Sequence, residues 1–200
     1  KAIPEDEKDE IFHLQHISTG LLSTSELSLL QASKEIAVYE NRTHRMLDQV
    51  RDLLCEDETI EFTKRYSRIE KYENISDRME IEIANYLTAL ASGRLSTEGK
   101  KQVQMKLRII SEIESIGDSC YNIARILQRK REQEVSFTKY ISEQLQSMFE
   151  LVDRAMSQMA VCLNEEHVSS SEIHKSQNLE NEINNLRNQL KRQNVEDVKD

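Results

Sequence analysis

Four glycines and one proline in 200 residues leave this chain almost without the residues that stop helices, tighten hairpins or break strands. A chain so poor in punctuation is restricted to long helices, and clusters of polar residues have to serve as the stops between them. The expected fold class is therefore all-α, an antiparallel helical bundle of about five long helices. The apolar content agrees. With 38% hydrophobic and 32% charged residues, the chain fills a narrow core to which each helix contributes one stripe. Its length favours one domain, with two as the limit.

The stops can be located. Residues 1–22 begin with the acidic stretch Pro4-Glu5-Asp6-Glu7-Lys8-Asp9-Glu10, then turn apolar at Ile11, Phe12, Leu14 and Ile17, and predict an arm that docks on the body. Ser23-Thr24-Ser25-Glu26 is a cap signal for a first helix over 24–54. The acidic turn Cys55-Glu56-Asp57-Glu58 precedes a second helix over 58–91, whose stripe is Ile69, Tyr72, Ile75, Met79, Ile83, Tyr86 and Leu90. Gly93 and the cap Ser96-Thr97-Glu98 introduce a third helix over 97–132, with Ile109, Ile113, Ile116, Cys120, Ile123 and Leu127 predicted on its buried face. A break at Glu134-Val135-Ser136 opens a fourth over 137–164, and Ser169-Ser170-Ser171-Glu172 opens a fifth over 170–194. Short connections predict antiparallel neighbours.

The two halves resemble each other. Tyr39-Glu40 and Met46 align with Phe149-Glu150 and Met156, while Tyr72-Glu73 and Ile83 align with Leu179-Glu180 and Leu190. The organisation predicted from this is an arm over 1–22, a three-helix repeat over 23–132, and a second repeat over 133–200 that lacks its last helix. That helix would lie beyond Asp200.

Charge and motifs exclude several function classes. The net charge is −9 and the acid is spread along the chain, so there is no electrostatic footprint for nucleic acid. The short basic runs Lys100-Lys101 and Arg129-Lys130-Arg131 sit near helix ends, where they complement the dipole. Three widely spaced cysteines, Cys55, Cys120 and Cys162, form neither a disulfide framework nor a thiolate zinc site and read as small core residues in a reducing compartment. No apolar run is long enough to span a membrane and no signal peptide is readable. With no glycine-rich phosphate loop and no Gly-x-Ser-x-Gly elbow, the expectation is a protein that is not an enzyme. His13/His16 and Glu40/His44 are helically spaced pairs, but neither matches the Glu-x-x-His of di-iron bundles.

One constellation carries chemistry. Glu73 and Asp77 are four residues apart on the second helix, and Glu114 and Asp118 repeat that spacing on the third, so each pair stands one turn apart on one helical face. Glu70 and Glu80 extend the first pair, and Ser111 and Asn122 flank the second. An acidic pair at this spacing is ordinarily a solvated face. Two pairs brought together from antiparallel helices repel unless a cation intervenes, and oxygen-only donors suit iron, manganese, magnesium or calcium better than structural zinc. Gly117, between Glu114 and Asp118, points the same way, because a mid-helix glycine costs about 1 kcal/mol against alanine and needs a packing or functional reason.

Tyr72-Glu73-Asn74-Ile75-Ser76-Asp77-Arg78-Met79-Glu80, followed by Glu114-Ser115-Ile116-Gly117-Asp118-Ser119-Cys120-Tyr121-Asn122-Ile123-Ala124, resembles the PhoU family. The sharp motifs span 70–127 and the wider pattern 24–194. The resemblance implies two three-helix repeats with Glu/Asp-x-x-x-Asp pairs holding iron, zinc or another divalent metal on the surface. Here the ligands would be Glu73, Asp77, Glu114 and Asp118, supported by Ser111 and Asn122. It also implies regulation of phosphate uptake. The arm and Leu21-Leu22-Ser23-Thr24-Ser25-Glu26-Leu27 are most similar to the cytoplasmic PhoU-like tail of bacterial sodium/phosphate cotransporters. The expected partners are then a membrane domain in the same chain and a second copy in a homodimer, with the domain on the cytoplasmic side of the inner membrane. The opening at Lys1 without methionine suits such a tail. Two alternatives stay open: a soluble cytoplasmic phosphate-uptake regulator, and a plain helical protein-interaction module without metal. In the second repeat Glu180 matches the first carboxylate, but Asn184 stands where the pattern has Asp, so a second complete site is not expected.

Overall fold

The computed structural model of the chain describes residues 12–17, 25–93, 95–165 and 167–197. Among these residues lie five helices and no strand: α1, Ser25–Leu54; α2, Thr59–Ala91; α3, Thr97–Glu132; α4, Lys139–Asn164; and α5, Ser170–Asp197. Polar side chains do start the helices. The Glu58 carboxylate accepts from Glu61 N at 2.8 Å, Ser96 Oγ from Gly99 N at 3.0 Å, Thr138 Oγ1 from Ile141 N at 3.3 Å and Ser169 Oγ from Glu172 N at 3.2 Å. Each satisfies an amide that the first turn leaves open. Ser23 and Thr24, expected to cap α1, lie outside the described residues, as does the acidic stretch before Ile11. The end of α3 shows the cost of having few glycines. Glu134 takes a left-handed φ of 55°, and Val135 N returns to Lys130 O at 3.1 Å, a closing turn usually made by glycine.

The chain divides into two compact units, Lys1–Arg129 and Lys130–Asp200. In the first, α1 and α2 run antiparallel in a register marked by polar contacts. Arg65 bonds Asp52 at 3.0 Å and Glu56 at 3.2 Å at one end, Ser76 meets Tyr39 at 3.4 Å midway, and Tyr86 reaches Gln31 at 3.2 Å at the other end. Lys106 on α3 donates to Ser33 on α1. Every residue predicted for the α2 stripe is buried.

On α3 the buried face differs from the expectation. It comprises Val103, Ile110, Ile113, Gly117, Cys120, Ala124 and Leu127, whereas Ile109 and Ile116 are half-buried and Ile123 is exposed. A pattern weighted by hydrophobicity follows the isoleucines. The helix turns Gly117 and Ala124 inward instead, because small residues permit the closest approach of a neighbouring helix. Of the cysteines, Cys120 is buried and Cys162 half-buried, but Cys55 is exposed, so the core reading fails for it: Cys55 falls in the polar turn after α1.

In the second unit α4 and α5 are antiparallel, with Arg154 paired to Glu182 at 3.1 Å, Gln158 bonded to Glu172 at 2.6 Å and Tyr140 bonded to Gln193. Its buried hydrophobic residues are Phe149, Met156 and Leu179. These are the positions that the internal repeat sets against Tyr39, Met46 and Tyr72, all buried in the first unit.

Two isoleucines on α2 separate burial from hydrophobicity. Ile83 is fully buried and Ile81 is 53% exposed. In urea unfolding followed by circular dichroism, Ile83→Ala is expected to cost about 2–5 kcal/mol, and Ile81→Ala to stay within about 0.5 kcal/mol.

Candidate metal centre

The site is produced by the approach of α2 to α3. Ser76 immediately precedes Asp77, and Gly117 immediately precedes Asp118. Both are buried, and a Cβ on Gly117 would stand 3.3 Å from Ser76 Oγ, tighter than ordinary van der Waals contact. The helices therefore touch at their smallest side chains, and the acidic residue after each is carried to the rim of the contact. Oxygens of Glu73, Asp77 and Asp118 all lie within 4.8 Å of one another, each at least partly open to solvent. These are three of the four predicted ligands.

Glu114, the fourth, is tied to the cluster through Asp118. Its carboxyl is raised above the ordinary carboxylate range by desolvation, then by the charge of Asp118 and by a hydrogen bond between the two, with Glu80 and Asp77 adding to the effect. Glu73 and Asp77 are raised as well. For Glu73 the causes are desolvation and then Asp77, Asp118, Glu70 and Glu114; for Asp77 they are desolvation and then Asp118. Ser111 and Asn122 are exposed on α3, one turn beyond Glu114 and Asp118 respectively.

Several residues that frame the cluster escape a reading by motif. Tyr39 of α1 is fully buried, and its hydroxyl receives the hydrogen bond from Ser76 beneath the acids. Burial raises the phenol well above its usual range, and Glu80, Glu114 and Asp77 raise it further, so it stays neutral under the cluster. At one edge Tyr121 donates to Glu70 at 3.3 Å and stands 6.5 Å from the Tyr66 ring; its hydroxyl is pushed up to about 12 by desolvation, with Tyr66 and Glu70 contributing. The available signal was the small residue before each Asp. Cys120 is no candidate ligand, since burial pushes its thiol up to about 12.

The other predicted pairs stand apart from the cluster. Glu40 is buried with His44 Nδ1 at 3.9 Å, too long for a hydrogen bond, and burial raises its carboxyl while His44 opposes this. His13 and His16 are exposed on the arm. In the second unit Glu180 is exposed and Asn184 half-buried.

The residues present fit a hard or borderline cation: the donors are oxygens from carboxylates, drawn from two helices and held close enough to perturb one another. Comparison with known proteins agrees with this region being distinctive. The family model described as the PhoU domain matches residues 36–127, a span that holds Tyr39, both acidic pairs, Ser76 and Gly117. No curated protein and no solved structure shows significant similarity to the chain.

The raised carboxyls give a pH dependence of known sign. A folded state that keeps protons the unfolded chain has lost is stabilised at low pH and loses that stability as pH rises. Metal-free protein is therefore expected to melt lower as pH climbs from the ordinary carboxylate range, about 4, through the raised values of Glu73, Asp77 and Glu114. Asp118→Asn removes a repelling charge and should both flatten this profile and raise the metal-free melting temperature by a few degrees, measured calorimetrically in chelator.

Proposed function

Since the chain is PhoU-like over residues 36–127, with the phosphate-transport regulatory role that such a domain suggests, we propose that it is the cytoplasmic regulatory domain of a sodium-dependent phosphate transporter. Its acidic cluster binds a divalent cation. The observation that carries the metal part is the convergence of Glu73, Asp77 and Asp118 oxygens within 4.8 Å at a helix contact made close by Gly117. A cation there stabilises the packing of α2 on α3, and its absence leaves those helices pushed apart by their own carboxylates. Regulation then consists of a change in helix packing that the adjoining membrane domain, or a second copy, can detect. Among the described residues no helix is long and apolar enough to cross a membrane, so on this reading the membrane domain is contributed by other residues of the same protein. No catalytic step is required of the cluster, and the chain acts as a regulator, not an enzyme.

The metal part has a direct test. Iron(II), manganese or zinc added to dialysed protein at about a hundred times its dissociation constant should stabilise the fold by about 2.7 kcal/mol, a rise of about 5–10 °C in melting temperature for a chain of this size. The double variant Asp77→Asn/Asp118→Asn should not respond. Dialysed protein that carries no transition metal and gains nothing from any of the three would sink the proposal. The transporter context is tested separately by the coding sequence upstream of Lys1. Hydrophobic spans in frame support it, and a start codon leaves a soluble phosphate-uptake regulator.

A further inference from the structure

We propose that the α1–α2 face of the first unit is a peptide-capture site, and that residues 12–17 are its built-in occupant, held by recognition of their main chain. The anchor is Glu35 on α1, whose residue is fully buried. A carboxylate in such a place needs donors, because an uncompensated buried charge is among the most costly groups in a protein. The donors are two consecutive backbone amides of the arm. Gln15 N stands 3.2 and 3.0 Å from the two Glu35 oxygens, and His16 N stands 2.6 Å from Oε2. On the same buried flank of α1, seven residues on, Arg42 attracts Glu35 and lies 5.9 Å from the centre of the Tyr72 ring.

Side chains at the two ends of the segment set its position. The Phe12 ring lies under the Arg78 guanidinium of α2, 4.0 Å from ring centre to carbon, and Ile17 is buried. The side chains between them contribute less: His13, Gln15 and His16 are exposed and Leu14 is half-buried. The site thus takes a peptide that bends at the two residues whose N–H groups it binds, with an aromatic residue three and four positions before them and an aliphatic residue directly after. One buried side chain, one stacked ring and the amide bonds to a single carboxylate make a contact small enough to exchange, and its occupancy by the arm rests on the high effective concentration that the covalent link supplies. This inference stands independently of the metal site.

The test uses the full chain with the arm disabled by Phe12→Ala and Ile17→Ser, and a fluorescently labelled peptide of the sequence of residues 10–19. The peptide should bind the arm-disabled chain about tenfold or more tightly than the unaltered chain, in which the arm competes. Glu35→Gln in the arm-disabled chain should weaken binding about tenfold. If that variant fails to fold, N-methylation of the peptide at the positions of Gln15 and His16 makes the same deletion from the ligand side and should abolish binding. Hydrogen exchange gives a second reading, in which the Gln15 and His16 amides are protected in the unaltered chain and lose protection when the arm is disabled. No binding to the arm-disabled chain, equal binding to both chains, or binding indifferent to N-methylation would overturn the proposal.

Discussion

The acidic cluster depends on the contact between Gly117 and Ser76. A helix pair separated by ordinary side chains packs 8–10 Å apart, and acidic residues at the rim of such a pair remain ordinary surface charges. Here the missing Cβ of Gly117 lets α3 approach the Ser76 hydroxyl closely, and Tyr39 of α1 supports that hydroxyl from below. Three helices therefore meet at one small polar junction, and the carboxylates of Glu73, Asp77 and Asp118 are brought to its edge by their place in the sequence next to the contact. The glycine costs helix stability locally, and the tertiary contact makes use of its missing side chain.

The cluster that results opposes the packing that creates it. Burial and mutual repulsion raise Glu73, Asp77 and Glu114, and hydrogen bonding to Asp118 raises Glu114 further. Local rules of charge pairing are broken here while the surrounding core obeys them, with Ile69, Met79, Ile83 and Ile113 fully buried. Such conflicts between local and global preference are concentrated where proteins bind something. On the proposed reading, a divalent cation would relieve the repulsion that a proton also relieves, and the two would compete for one site.

The carboxylate of Glu35, which is fully buried, is satisfied differently. It draws a segment distant in sequence onto the helices and meets main-chain amides in place of a cation or a basic partner alone. The carboxylates at the solvent-facing rim raise one another, whereas Glu35, removed from water, is matched by fixed main-chain donors. The second unit shows the other limit. Phe149, Met156 and Leu179 repeat the buried positions of the first, but Glu150 and Glu180 are exposed, Asp153 and Glu172 are half-buried, and no acidic cluster forms among its described residues.

The sequence alone determined the helical class, because four glycines and one proline permit little else, and it located the helix starts, because polar caps act within one turn of the chain. It also identified the two acidic pairs, since a spacing of four residues is a local property of a helix. It misplaced the buried face of α3, where periodicity favoured Ile109, Ile116 and Ile123 over Gly117 and Ala124. Hydrophobicity measures what a residue gains by burial and is silent about how near a neighbour can come. That distance, and with it the position of Tyr39 under the cluster, the tie of Glu114 to Asp118 and the clasp of Glu35 on the arm, is a property of helices packed together. Only the tertiary structure decided it.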